Sequence, residues 1–321
     1  MSTLTVEQIL LGSSLGRMQT VGTMSVIPLI DQGDSDESYE APDLEVSTSD
    51  YGTVELRHRG ELPTIVPTGA GWVVDEAAQD HAIASAAFMG AGAERTIETA
   101  MCIQQTQGGY IKSSAHKMLI LPAALRSYAL ARRHEKGYSK LWEDIGAFNE
   151  SYGIDRGSGG AHLEYFLRQF SKELDEFVAE FELVPEQVGA IVLIAGQLAG
   201  IERAPNVAFW SSIWEPLVRV CYGSLAIKAS RSELPPAERF SLQVTQNSIE
   251  GIRAALVGAR AQEDAFMAQT FDRLCKTQLQ ANSPEEQQGD AHLVTLASPE
   301  LAGQVVLKGV KAPYVSLCSS I

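Results

Sequence analysis

Apolar residues recur along the chain with two different periods, and the change from one to the other marks out its elements. The densest signal runs from Gly189 to Ala229. Residues 190–195 form a continuous apolar run, which predicts a strand buried on both faces. Gly196-Gln197 turns the chain into a second short strand, 198–201, and Pro205-Asn206 ends it, with Asn206 suited to cap a helix. Helical spacing follows at Trp210, Ile213, Trp214, Leu217, Val218, Cys221 and Leu225. Pro216 interrupts this series. A proline inside a helix costs about 3 kcal/mol, so the pattern predicts one helix ending near Trp214 and another starting with Pro216 in its first turn.

Period-two alternation governs the first third. Strands are expected at 23–30, 53–58, 64–66, 72–74, 83–88 and 96–105, with Gly90-Ala91-Gly92 as the hairpin loop joining the last two. Pro28 implies an edge position or a bulge. Ahead of these, Thr5-Val6-Glu7-Gln8 reads as a capping box for a short helix. From Pro122 the period becomes helical, over 123–133 and 141–152. Leu163, Phe166, Leu167, Phe170, Leu174, Phe177, Val178 and Phe181 then form the stripe of one long helix. After Pro235-Pro236 the stretch 240–280 is helical in composition, and strands return at 292–296, 304–308 and 314–317, able to rejoin a sheet. The expected fold is α+β: a largely antiparallel, β-rich N-terminal third, amphipathic helices packed against it, and a strand–turn–strand–helix unit at 189–229. One domain is expected over 1–321, with a helical insertion at 240–280 and C-terminal strands at 291–318.

Composition narrows the partners. The 321 residues are 45% hydrophobic and 20% charged, enough to bury a core. Forty acidic against 25 basic residues leave a net charge of −15, which opposes nucleic acid and anionic lipid as partners. No apolar run approaches the roughly 20 residues of a membrane span. No secretory signal is read at the start, so a cytoplasmic location is expected. Cys102, Cys221, Cys275 and Cys318 show no metal or redox spacing and read as reduced core thiols. Asp31, Asp34 and Asp36 suggest a calcium loop, but Asp36 stands where that loop needs glycine, so a solvated loop is expected. Arg132, Arg133, His134 and Lys136 suit the C-terminal end of a helix dipole; phosphate binding is the sharper alternative.

Reaction motifs are missing. Neither Gly69-Ala70-Gly71 nor Gly90-Ala91-Gly92 completes a dinucleotide fingerprint, and no P-loop, HExxH or GxSxG occurs. Cys102 has no base at a local spacing. Two polar concentrations remain: Asp75, Glu76, Gln79, Asp80 and His81, and then Gln104, Gln105, Thr106, Gln107, Gly108, Gly109 and Tyr110. By pattern they are polar turns between strands, although the same groups could bind ribose hydroxyls or phosphate.

The order of Gly71 with Gln79, Ala91-Gly92, and Cys102 through Gly108-Gly109-Tyr110 resembles the domain family associated with ADP-ribosylglycohydrolases and rhodanese-phosphatases. The glycine-turned strand pair from Gly189 to Ile201, followed by Trp214, Leu217 and Tyr222, is similar to that family's later segment. The likeness covers about residues 20–230. It departs at Trp72 and Val73, where the family places acids, and at an apparent two-residue insertion near Thr106 and Gln107. The helical region 241–280 stands outside it. The resemblance implies a link to NAD or ADP-ribose metabolism. A nucleotide of that type, bound or processed, would be lined by Gln79, Asp80, Gln104 and Gln105, with Gly108 and Gly109 allowing close backbone approach beside Tyr110. The contrasting expectation is a non-catalytic interaction or self-assembly protein, a homodimer by default. No cofactor is assigned, and no metal is expected.

Overall fold

The computed structural model describes residues 3–73, 80–105, 116–155, 160–232 and 248–319. Its centre is an eleven-stranded antiparallel sheet. Along the main path the strands run Thr3–Thr5, Gln278–Ala281, Ala291–Ala297, Leu301–Lys308, Lys311–Ser319, Gln197–Arg203, Gln187–Ile194, Met24–Asp31 and Ser13–Leu15. The two ends of the chain therefore meet in one sheet. The fold is α+β, as the pattern implies.

The Gln187–Ile194 strand shows why its sequence is apolar throughout. Ala190 and Val192 face a layer containing Phe209, Trp210, Ile213 and Trp214, while Ile191 and Leu193 face a second layer with Ile9, Leu274 and Val315. Both faces are covered, so alternation has no polar side to show. Ile194 pairs with Gln197 across a two-residue turn. Ala195 and Gly196 both take positive φ, 48° and 76°, the conformation of the tight hairpin turn whose twist matches its strands. Asn206 caps the next helix, Val207–Pro216, by accepting the Phe209 N–H at 2.9 Å.

Four expectations are corrected. The chain does not restart at Pro216. It passes into a π-helical turn, Leu217–Tyr222, and then the helix Gly223–Arg231; the wider turn accommodates a residue that cannot donate to the preceding turn. Of the two readings of Pro28 the edge fails, because its strand lies between Gln187–Ile194 and two short strands, Ser13–Leu15 and Gln19–Val21, whereas a register shift does lie beside it, between Gln187 and Gly189 on the neighbouring strand. The two short strands pair with residues 29–31 and 24–26 respectively, so the missing N–H falls in the gap between them. Gly90-Ala91-Gly92 is not a hairpin loop. Ala87–Met89 pairs with Thr64–Val66 and Glu94–Ile97 pairs with Val54–His58, so the turn links two different small sheets. The phenylalanine stripe is two helices, Leu163–Gln169 and Ser171–Glu180, meeting at Phe170. The stripe still buries Leu163, Phe166, Phe170 and Leu174 in one layer.

The segment 240–280 holds the helix Ile249–Cys275 and then the strand Gln278–Ala281; residues 240–247 lie outside the described residues. Among the described residues no helix is long and apolar enough to cross a membrane. The acidic loop is tied down by cations: Asp36 pairs with Lys308 at 2.9 Å, and Asp34 with Lys311 and Arg203. Arg133 binds Glu285 and Arg132 binds Asp144, so each of these two cations is engaged by a carboxylate.

Where the helices meet the large sheet lies a buried polar cluster. Arg126, from the helix Ala123–Ala131, donates to Glu202 Oε1 at 2.7 Å and to Ser316 Oγ, and lies 3.0 Å from Cys318 Sγ and 3.4 Å from Cys221 Sγ. The Tyr222 hydroxyl donates to Glu202 Oε1 at 2.7 Å, and Ser316 donates to Oε2 at 2.6 Å. The charge is thus paired and both carboxylate oxygens accept hydrogen bonds, as burial requires. This cluster holds the helical layer to the sheet.

Candidate functional site

A four-stranded sheet, ordered Met101–Cys102, His81–Ala82, Ala70–Val73 and Lys117–Ile120, organises the candidate site. Met101 and Cys102 pair with Ala82 and His81. Beyond Cys102 the chain stays extended and is held from both sides. Ile103 N–H donates to Asp80 O at 3.0 Å, Gln104 bridges to His162, and Gln105 N–H donates to Ala161 O at 3.0 Å. Asp80 and the Gln104-Gln105 pair, distant in sequence, are therefore neighbours. Gln79, Gly108, Gly109 and Tyr110 lie outside the described residues.

The three that are described do different things. Asp80 and Gln104 are 1% and 2% exposed, and the Gln104 carboxamide donates to the Asp80 carboxylate. They lie beneath the surface and fix the extended segment. Gln105 is only partly covered, and its Oε1 accepts the Ala161 N–H at 3.4 Å. It lines a hollow of about 380 Å³. Trp142, Glu143, Gly146 and Glu150, from the helix Trp142–Ser151, form one wall, and Asp155, Gly160 and Ala161 form another. Glu143, Gly146 and Glu150 recur at three and four residues, so they share a face, and the glycine between two acids opens room there. The Trp142 indole N–H donates to Cys102 O at 3.1 Å, which fixes its ring. Asn149 donates to Gly160 O at 2.7 Å and His162 O at 2.9 Å, tying the far wall to the helix.

Sequence reasoning missed Trp142, Glu143, Glu150 and Asp155. The available signal was the Glu143–Gly146–Glu150 face, a polar, glycine-bearing stripe on a helix whose other side, with Ile145 and Phe148, is core.

The electrostatics favour binding over nucleophilic attack. Burial pushes the Cys102 thiol up to about 11, and its Sγ donates to Gln104 O at 2.9 Å; a thiol that stays protonated near neutrality is a poor nucleophile. Burial also lowers His162, which stacks on Tyr165 at 4.7 Å between ring centroids. Among the described residues no group of three or more His, Cys, Asp or Glu has the arrangement of a metal site. A second hollow of about 410 Å³ carries Lys117, Arg168 and Arg219 on an apolar floor. There Lys117 pairs with Glu215, Arg168 with Glu164 and Arg219 with Asp175.

Together these features define an α+β protein in which an antiparallel sheet carries a helical layer and a polar, acid-rimmed hollow at the margin of a smaller sheet. The chain belongs to the ARG and Rhodanese-Phosphatase-superfamily-associated Protein domain family, whose model matches residues 12–294. That match runs through the helical segment 240–280, which the residue pattern had set apart, and into the C-terminal strands. Neither the curated proteins nor the solved structures gave a match.

Proposed function

We propose that this chain binds the nucleoside end of an ADP-ribose- or NAD-type nucleotide in the hollow lined by Gln105. The observation that carries this reading is the lining itself: among the described residues, one carboxamide, three carboxylates and a fixed indole stand around about 380 Å³, within the range of small-ligand pockets. Glu143, Glu150 and Asp155 are acceptors suited to a ribose diol, because hydroxyl-to-carboxylate hydrogen bonds are short and strong. Trp142 offers an aromatic surface for a base, and Gln105 both donates and accepts. The family's association with ADP-ribosylglycohydrolases agrees with this ligand class.

The sign of the lining sets which end enters. Two like charges 4 Å apart repel by about 1 kcal/mol in water and about 4 kcal/mol at a protein surface of effective dielectric 20. Among the described lining residues, the carboxylates of Glu143 and Glu150 disfavour a pyrophosphate and favour a ribosyl group, above all one bearing the cationic nicotinamide ring. Asp80 and Gln104 act underneath, as the latch that holds Gln105 in place. Isothermal calorimetry with nicotinamide riboside, NAD, ADP-ribose and AMP tests the reading. Affinity is expected to fall in that order and to be lost in Asp155→Asn combined with Gln105→Ala. No heat from any of the four at millimolar concentration removes the proposal.

A further inference from the structure

The second hollow, of about 410 Å³, lies along the outer strand Lys117–Ile120, at the opposite margin of the four-stranded sheet from Gln105. Its floor is apolar and incompletely covered: Val73, Met118, Leu167 and Pro216 are each partly exposed there. Its rim is charged. Lys117 pairs with Glu215 and Arg168 with Glu164, and these two cations are 67% and 77% exposed, so both pairs hold only weakly. Arg219 differs. Its side chain is 14% exposed and its Nε donates to Asp175 Oδ1 at 2.6 Å, but among the described residues neither of its Nη groups has a partner. The turn that carries it, Leu217–Tyr222, is π-helical, a rare wide turn that recurs at functional sites. Ser171 also lines the hollow, and it begins the ten-residue helix Ser171–Glu180. Phe170, at that helix's N-cap, has no side-chain oxygen to offer, so the positive end of the dipole stays uncapped beside the hollow.

We propose that this hollow binds a small monocarboxylate with an apolar body, its carboxylate on the open fork of Arg219 and its body on the floor. A guanidinium fork meets a carboxylate with two parallel hydrogen bonds, and covering the floor removes its apolar surface from water. Charge limits the ligand to a single negative charge. Lys117, Arg168 and Arg219 are matched one for one by Glu215, Glu164 and Asp175. A phosphate dianion would therefore meet three carboxylates with no surplus cation, whereas a monoanion needs only the donors that Arg219 and the helix end leave open. A cationic head is disfavoured in turn. Asp175 and Glu215 are 61% and 48% exposed and are already solvated, while Arg219 is the charge held away from water.

Isothermal calorimetry of the full chain with octanoate, octanol and octylammonium compares one apolar body under three head groups. Octanoate is expected to bind at one saturable site, about tenfold or more tighter than the other two, as a charge-assisted bidentate pair implies. Arg219→Gln is expected to reduce octanoate to the affinity of octanol and to leave octanol unchanged, a loss confined to the head group that a merely structural role would not produce. Arg219→Lys keeps the charge without the fork and is expected to fall between; it carries the test if the Gln variant loses the wild-type circular dichroism. Octanoate without saturable heat at millimolar concentration overturns the proposal. So does octanol or octylammonium that binds as tightly as octanoate, or wild-type octanoate affinity in both Arg219 variants.

Discussion

Replacing Glu202 by Gln keeps the shape of the buried cluster and removes its negative charge. The Arg126 guanidinium, 4% exposed, then lies in the interior without a counter-charge. One Glu202 oxygen accepts both Arg126 at 2.7 Å and Tyr222 at 2.7 Å, and the other accepts Ser316 at 2.6 Å. A Gln side chain can present only one oxygen to these three donors, and its amide turns a donor toward at least one of them. Breaking a buried pair from one side costs about 3–5 kcal/mol, a large part of the 5–15 kcal/mol that holds a typical domain folded. Urea denaturation followed by circular dichroism is the assay, with Tyr222→Phe expected to cost about 1.5–3 kcal/mol for one bond to a charged acceptor. Arg126→Met with Glu202→Leu removes both charges and is expected to recover most of the Glu202→Gln loss, because the pair's desolvation cost disappears with it. A Glu202→Gln variant within about 1 kcal/mol of wild type would refute the reasoning, as would a double variant worse than the single.

Two further outcomes follow from the packing and from a titrating group. A Cβ at Gly303 would stand 2.0 Å from Ser316 O and 2.8 Å from Leu317 Cα, so Gly303→Ala forces neighbouring strands apart and is expected to lose about 1–3 kcal/mol in the same denaturation assay. His162 is neutral in the folded chain because burial lowers it below 6.5. The unfolded chain then binds more protons between the two values, so stability is unaffected above about pH 6.5 and falls as pH drops through the lowered value. Melting temperatures against pH should show that slope, and His162→Gln should flatten it.

Local chemistry in the sequence reached the elements whose partners are near in the chain. The Asn206 cap and the Thr5–Gln8 capping box act within four residues and are found where the residues place them, while the turn expected at Gly196-Gln197 falls one residue earlier, at Ala195-Gly196. It failed where a distant partner decides. Gly90-Ala91-Gly92 carries every mark of a hairpin loop, yet the strands on either side find better partners at Thr64–Val66 and Val54–His58. Pro28 reads as an edge or bulge residue, and nothing nearby in the chain reveals that two short strands leave a gap opposite it. The hollow was legible only in part for the same reason. Gln105 stood out as one of a polar run, but Asp155 and the Glu143–Gly146–Glu150 face join it through backbone pairing between residues 103–105 and 161–163. Asp80 and Gln104 carry polar groups that sequence could flag, whereas their engagement with each other is a fact of tertiary structure.

Trp72, Trp210 and Trp214 are buried, and Trp142 is the one tryptophan that reaches the hollow. Its fluorescence is therefore a direct report of occupancy. Titration with nicotinamide riboside is expected to quench wild-type emission to saturation, with ADP-ribose weaker and Trp142→Phe silent at every concentration. Emission that does not move in the wild type, or that moves equally in Trp142→Phe, would contradict a nucleoside seated against this ring.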